Sequence, residues 1–223
     1  MQIAIDTSTD TAGLALVQDG EILAELTWHC VQNHTTQLLP NLAHLLKQNN
    51  LSLESADCIV VARGPGSYNG LRVGISTAKG LAFSLDIPII GISTLEAEAY
   101  QHANIGLPVC PVFNAGREEI ATAMYQKKRE KWQQIAEERL TTVDALCAEI
   151  TAKTLFCGEF VHKIGDTLRE RLGAKAVIVP GLRRAGFLAE LGLKRFKVGD
   201  YDDAATLQPF YFRGPSISQP KHR

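Results

Sequence analysis

The residues best suited to chemistry lie in two short stretches, and the first follows the apolar run at residues 3–5. Asp6, Thr7 and Ser8 stand together at the end of this predicted strand. A carboxylate in that position could hold a hydrated Mg²⁺, while hydroxyls and backbone N–H groups bind phosphate. The same residue types also form ordinary Asx and Ser/Thr turns. A nucleotide site and a plain turn are therefore both open for this stretch.

A glycine-rich turn forms the second stretch. The apolar run at residues 59–62 predicts a buried strand, and Gly64, Pro65 and Gly66 then let the backbone turn sharply. A helix follows, with Asn69 as the expected N-cap. Backbone N–H groups at the start of such a helix could cradle a phosphate, or the glycines could simply turn a corner. Gly64 and Gly66 are therefore nucleotide candidates beside Asp6.

The histidines and cysteines do not form a metal-binding motif. His29, His34 and His44 are not three or four residues apart on a helix, as ligands on one helical face would be. The five cysteines contain no Cys-x-x-Cys pair and are odd in number. We expect no metal site, and we expect the cysteines to be reduced and mostly buried.

The composition predicts a globular cytoplasmic protein. The chain has 223 residues, of which 45% are hydrophobic and 21% are charged, and this excludes a disordered or fibrous protein. Its net charge of −1 does not suit binding of nucleic acid through an overall positive field. The basic clusters at 127–129, 183–184 and 194–197 are interpreted as solvated faces. Because no apolar run approaches the ~20 residues of a membrane span, we expect no membrane partner.

Two helical patterns predict close packing in the first hundred residues. The small residues Gly70, Gly74 and Ala78 recur every four positions and form a smooth ridge on a helix. This ridge could pack on the chain's own sheet or on a partner's helix. An earlier amphipathic helix presents Leu38, Leu42 and Leu45 on one face.

The order of predicted elements repeats once along the chain. Hairpin, third strand, helix, strand, helix and strand occur in the first half and again in the second, which indicates two copies of one α/β module. We predict a first module at residues 1–104 and a second, smaller module at 105–206. Residues 207–223 are predicted to be a closing segment with a loosely ordered tail.

Several stretches together resemble the TsaB (YeaZ) family. They are residues 4–9, 34–40, 63–72, 80–82, 89–94 and 208–213. The resemblance implies the duplicated α/β fold of actin, hexokinase and Hsp70 (the ASKHA or RNase H-like class), with mixed sheets flanked by helices. It also implies that the helices of the first module carry the dimer surface, to which we assign His34, Leu38, Leu42, Leu45, Gly70, Gly74 and Ala78.

The resemblance further implies a function in tRNA modification. Proteins of this family help to place N6-threonylcarbamoyladenosine at position 37 of tRNAs that read ANN codons. We expect a non-catalytic subunit that binds and activates the catalytic TsaD-type paralogue. The other expected partners are a TsaE-type ATPase, a second copy of the chain when the paralogue is absent, and tRNA through the complex rather than alone.

Two departures from the family pattern argue against catalysis by this chain. The paralogue has a His-x-x-x-His metal motif where this chain has Thr94 and Glu98, and Asn114-Ala-Gly-Arg117 stands where an aspartate is common. We therefore expect no cofactor for the chain alone, with ATP or ADP and Mg²⁺ only within the complex. An ATP-dependent small-molecule kinase of the same superfamily is the alternative, and the ligand count argues against a metallopeptidase.

Overall fold

Ten strands of the described residues form two five-stranded sheets. The structure is a computed structural model that describes residues 1–31 and 33–213. The first sheet contains β1 (Gln2–Asp6), β2 (Thr11–Gln18), β3 (Glu21–His29), β4 (Cys58–Gly64) and β5 (Ile89–Ser93). The second contains β6 (Val109–Gly116), β7 (Glu119–Lys128), β8 (Lys131–Thr142), β9 (Thr154–Cys157) and β10 (Ala176–Ile178). The predicted tail at 214–223 lies outside the described residues.

The two sheets have the same topology. The strand order is β3-β2-β1-β4-β5 in the first sheet and, read in the matching direction, β8-β7-β6-β9-β10 in the second. In each, the first three strands pair antiparallel and the last two run parallel to the central strand. The predicted repeat of one mixed α/β module is confirmed.

Six α-helices accompany the sheets in the described part of the chain. They are α1 (His34–Gln48), α2 (Tyr68–Leu85), α3 (Thr94–Tyr100), α4 (Val143–Glu149), α5 (Val161–Leu172) and α6 (Ala185–Lys197). The predicted N-cap Asn69 is wrong, because the N-cap is Ser67, two residues earlier, and its side chain accepts from the Gly70 N–H. Helix α6 ends at Lys197, with Lys194, Arg195 and Lys197 in its last turn, where cations are favourable.

Helices cover both faces of the first sheet. Leu38 and Leu42 of α1 and Ala78 of α2 pack with Ile3 and Ile5 of β1 on one face. On the other face, Leu188 and Ala189 of α6 pack with Ala4 and Val60. Since successive strand residues point to opposite faces, the apolar residues at positions 3–5 of β1 are buried on both sides.

Helix α6 follows the second sheet in the chain but packs on the first. The chain then runs beside β5, where the Asp202 N–H donates to the Ile89 carbonyl at 2.9 Å. Leu207 is buried in the same apolar cluster as Ile3 and Leu38. The module boundaries at 104 and 206 stay a prediction. The segment that follows the second sheet in the sequence packs against the first sheet. Within the described residues, no helix has both the length and the apolar character to cross a bilayer.

Candidate site at the cleft between the sheets

Asp6 ends β1 and is buried at the base of the cleft between the sheets. Its Oδ1 accepts from the Ser8 N–H at 2.9 Å and from the Ser8 hydroxyl at 2.6 Å. These two bonds form a tight Asx turn. The neighbouring Thr7 side chain faces away from the cleft, since its hydroxyl donates to the Gly70 carbonyl at 2.7 Å. The three predicted residues Asp6, Thr7 and Ser8 therefore make mainly intramolecular contacts.

A buried arginine from the distant end of the chain occupies the same place. Arg183 precedes α6, and its Nε donates to Asp6 Oδ2. Its Nη2 donates to the Ser8 hydroxyl at 2.9 Å and to the Thr9 hydroxyl at 3.3 Å. Two further carboxylates lie near Nη1, Glu98 at 3.7 Å and Glu159 at 3.8 Å. The guanidinium is thus the cation around which these acidic side chains are arranged.

The ionisation of these groups follows from burial and from Arg183. Burial alone would raise the pKa of Asp6, but the charge and hydrogen bonds of Arg183 hold that pKa below its ordinary value. Burial would lower the pKa of Arg183, and Asp6 more than compensates, so the guanidinium pKa is raised. For Glu98, burial raises the pKa to about 7, even though Arg183 acts in the opposite direction. Asp6 and Arg183 are therefore a charged pair.

The glycine-rich turn is packed against the chain's own backbone. A Cβ at Gly66 would overlap the Ser8 carbonyl, and one at Gly64, whose φ is +115°, would overlap the carbonyl of Phe210. Donors at the start of α2 are also used internally: the Ser67 N–H donates to the Ser8 carbonyl at 2.6 Å. These contacts account for both glycines and favour the turn, the second of the two alternatives that the sequence leaves open.

An open cavity of about 470 Å³ remains beside the buried pair. It is lined by Ser8, Thr9, Asp10, Gly66, Ser67, Phe113, Asn114, Glu159 and Phe160. Hydroxyls and one carboxylate of the first sheet's loops therefore face Asn114 and Glu159 of the second module across it. Asp6, the candidate Mg²⁺ ligand, is not among these residues, and both of its oxygens are engaged. The residues present do not fit a Mg²⁺–nucleotide in this arrangement.

All seven residues predicted at the dimer surface are buried in the chain itself, and this is a correction. They are His34, Leu38, Leu42, Leu45, Gly70, Gly74 and Ala78. A Cβ at Gly70 or Gly74 would overlap the Thr7 carbonyl or hydroxyl. The helical ridge therefore packs on the chain's own β1 loop, which is the alternative to a partner helix. His34 Nε2 lies 2.9 Å from the Thr9 carbonyl.

The outward faces of the same two helices are exposed and partly apolar. On α1 the exposed residues include Leu39 and Ala43, and on α2 they include Gly80 and Phe83. We refer to these four residues as the outer helix face. Phe83 is 87% exposed, and a Cβ at Gly80 would meet no atom within 4 Å. No contact within the described chain requires a glycine at position 80.

Reasoning from sequence missed Arg183, Glu98 and Glu159 as parts of one cluster. Arg183 was interpreted together with Arg184 as a solvated basic cluster. Only Arg184 fits that description, since it is exposed and pairs with Glu25. The two arginines are adjacent in the sequence, so no local pattern distinguishes the buried one from the exposed one.

Comparison with known proteins identifies the family. A family model described as TsaD, tRNA N6-adenosine threonylcarbamoyltransferase, matches residues 22–161. The tRNA threonylcarbamoyladenosine biosynthesis protein TsaB of Bacillus subtilis (strain 168) is 33% identical over 217 residues, which cover 95% of this chain and 93% of that protein. The Escherichia coli (strain K12) protein of the same name is 35% identical over 127 residues, covering 56% and 54%.

Solved structures agree on the fold. YeaZ from Pseudomonas aeruginosa superimposes with a TM-score of 0.81 at 24% identity, covering 95% of this chain and 99% of that one. Component A of (R)-2-hydroxyglutaryl-CoA dehydratase from Acidaminococcus fermentans superimposes with a TM-score of 0.54 at 12% identity, covering 92% and 99%. The predicted duplicated actin-like fold is confirmed. The chain belongs to the TsaB family of tRNA threonylcarbamoyladenosine biosynthesis proteins.

Proposed function

We propose that this chain is the non-catalytic subunit of the complex that transfers a threonylcarbamoyl group to N6 of adenosine 37 in tRNAs reading ANN codons. Its role there is to bind and activate the catalytic TsaD-type paralogue. The observation that carries the non-catalytic role is the Asp6–Arg183 pair. Asp6 Oδ2 is engaged by the guanidinium of Arg183 and Oδ1 by Ser8, so the carboxylate has no free oxygen for a metal-bound phosphate.

Thr94 supports the same conclusion. It stands where the resemblance places a metal-binding histidine of the paralogue. Its side chain is buried, and its hydroxyl accepts a hydrogen bond from the Gly64 N–H at 3.1 Å. The hydroxyl thus fastens the glycine-rich turn to α3. This position has a structural role in this chain, and no observation favours the kinase alternative.

The outer helix face is the surface that we assign to the paralogue. Exposed aromatic residues such as Phe83 are typical of binding surfaces. A glycine inside a helix costs about 1 kcal/mol relative to alanine, and Gly80 has no internal contact that explains this cost. Close approach of a partner's helix at Gly80 would explain it. The occupant is the TsaD-type paralogue or, in its absence, a second copy of this chain.

The remaining partners join through the complex. A TsaE-type ATPase is the further protein partner, and ATP or ADP with Mg²⁺ acts only in the assembly. The tRNA is bound by the complex rather than by this chain alone, since the chain's net charge is −1 and phosphate binding requires clustered cations.

Reconstitution tests the proposed role. The full chain, the TsaD-type paralogue and the TsaE-type ATPase are combined with tRNA and the threonylcarbamoyl donor, and modified adenosine is measured by nucleoside analysis. Modification should require both this chain and the paralogue, and this chain alone should have neither transferase nor peptidase activity. Turnover by the isolated chain would overturn the non-catalytic role.

A substitution on the outer helix face tests the assigned surface. Phe83→Asp should reduce co-purification with the paralogue and lower modification activity, because it places a charge in an apolar contact. Val198→Asp is the matched control: Val198 is 77% exposed and follows α6, which covers the opposite face of the first sheet. Equal effects of the two substitutions would remove the assignment of the outer helix face.

A further inference from the structure

Three potential metal ligands of different chemistry converge beside α3. Glu98 lies on this helix, and His102 follows four residues later in the next turn. Cys157 ends β9 of the second sheet. One ligand atom of each residue, a carboxylate oxygen, an imidazole nitrogen and the thiol sulfur, lies within 4.8 Å of the other two. Such a set fits around one cation after small side-chain movements.

Two of these ligand atoms have no hydrogen-bond partner among the described residues. Glu98 Oε2 and His102 Nε2 are both buried and unpaired. The other Glu98 oxygen accepts from the Gln101 side chain at 2.6 Å. The nearest cation, Arg183 Nη1, is 3.7 Å from Oε2, which is beyond hydrogen-bond length. Native proteins rarely leave such groups unpaired, and an ion is one explanation of those that remain.

The acidic side chains around the cluster also outnumber the nearby cations. Asp6, Glu98 and Glu159 face the single guanidinium of Arg183. Three carboxylates and one guanidinium leave an excess of two negative charges when all are ionised. A buried charge is stable only when it is paired or coordinates a metal. A divalent cation would offset two of the three negative charges that are present once Cys157 binds as a thiolate.

We propose that Glu98, His102 and Cys157 bind a zinc-like divalent cation. A thiolate and an imidazole select zinc and related transition metals over Mg²⁺ and Ca²⁺, which prefer oxygen ligands alone. Binding exchanges the proton of the Cys157 thiol for the metal, and the proton is released to solvent. Three protein ligands leave a fourth position for water or another ligand.

This site would connect the two modules. Helix α3 follows the last strand of the first sheet, whereas β9 lies in the second sheet. Because the ligands come together only when the chain is folded, a metal held by both modules would cross-link them, and its binding energy would stabilise the folded state. The sequence alone predicts no metal site, because Cys157 is distant in sequence from the other two ligands. The inference does not depend on the proposed function.

Metal analysis of the full chain tests the proposal. The protein is stripped with a chelator, exposed to Zn²⁺ alone, and freed of excess metal by gel filtration. Zinc per chain is then measured by mass spectrometry, and affinity by competition with a chromophoric chelator. We expect one tightly bound zinc per chain. His102→Ala and Cys157→Ala should each weaken binding at least about tenfold, since each removes a ligand.

A matched control and a spectroscopic signature separate this site from adventitious binding. Cys110→Ala removes another buried cysteine of the second sheet, one whose sulfur lies 3.1 Å from the Thr122 hydroxyl, and it should leave zinc binding unchanged. Co²⁺ in place of zinc should show a thiolate charge-transfer band that Cys157→Ala abolishes. His102 is half-buried, so His102→Ala should fold, which circular dichroism checks. Substoichiometric zinc in the wild type, or zinc retained by both ligand variants, overturns the proposal.

Discussion

Arg183 and Asp6 form an ion pair although they lie 177 positions apart in the sequence. Their side chains are only 1% and 4% exposed. Asp6 ends the first strand, and Arg183 lies two residues before the first residue of the last helix. The pair therefore joins the beginning of the chain to the segment that returns from the second sheet. Because the pair engages Asp6, this carboxylate is not available to bind a metal ion in the cleft.

Removing Arg183 should strongly destabilise the protein. Arg183→Met leaves the Asp6 carboxylate buried without its partner, and we expect a loss of about 3–5 kcal/mol in the free energy of unfolding. The double substitution Asp6→Asn with Arg183→Met should recover part of this loss, because it leaves no unpaired charge at position 6. Urea denaturation of the wild type, Arg183→Met, Asp6→Asn and the double variant measures the coupling.

The exposed pair Arg169–Asp166, at 2.8 Å, is the control for the preceding experiment. Arg169→Met should change the free energy of unfolding by less than about 1 kcal/mol, as is usual for surface pairs. If Arg183→Met costs no more than Arg169→Met, the buried pair does not stabilise the fold.

The contribution of Asp6 should depend on pH in the acid range. Its pKa lies below the ordinary value of 3.8 in the folded protein, so the carboxylate stabilises the fold above that value. This stabilisation is lost as the pH falls through the lower folded pKa. The difference in melting temperature between the wild type and Asp6→Asn should therefore be largest near neutral pH and shrink below about pH 4. Asp10→Asn, on the same loop but exposed, controls for the loss of one charge. A difference that grows toward acid pH would contradict the sign of the shift.

Alanine at two glycines of α2 should have opposite effects. Gly74→Ala places a methyl group against the Thr7 hydroxyl and should cost about 1–3 kcal/mol of stability through overpacking. Gly80→Ala meets open space and should add about 0.5–1 kcal/mol through helix propensity. Thermal unfolding of both variants checks the pair. A stable Gly74→Ala would mean that α2 does not approach Thr7 as closely as described.

The basic turn between β7 and β8 should contribute little to tRNA modification. Lys127 is already paired with Glu130 at 2.7 Å, whereas Lys128 and Arg129 are exposed. Exchanging Lys128 and Arg129 for glutamate should leave the activity of the reconstituted complex within about twofold, because a solvated turn makes no phosphate contact. A loss above about tenfold, with a weaker salt dependence of tRNA binding, would identify this turn as an RNA surface.

Elements with strong local patterns were predictable from the sequence. The apolar residues of β1 and β4 and the repeated order of strands and helices indicated two α/β modules because periodicity and burial are local properties. The spacing of Gly70, Gly74 and Ala78 correctly indicated a close approach. It did not identify the approaching group, since small side chains allow close approach of Thr7 and of a partner's helix equally well.

The arrangement of the cleft was not predictable in the same way. Asp6 and Gly66 were identified as candidates, yet their actual partners, Arg183 and the Ser8 carbonyl, depend on tertiary contacts. A buried arginine has no periodic signal, and its neighbour Arg184 is exposed. Long-range pairing of charged residues is therefore the part of this site that required the structure.

Helix α6 has a consequence for synthesis of the chain on the ribosome. Its residues Leu188 and Ala189 cover Ala4 and Val60 of the first sheet, so that face stays uncovered until Lys197, the last residue of the helix, has been translated. The amino-terminal half must leave the exit tunnel with apolar strands facing water, and exposed strands of this kind aggregate readily. Nascent chains that stall before α6 should therefore recruit chaperones, whereas chains that extend past α6 should be released from them.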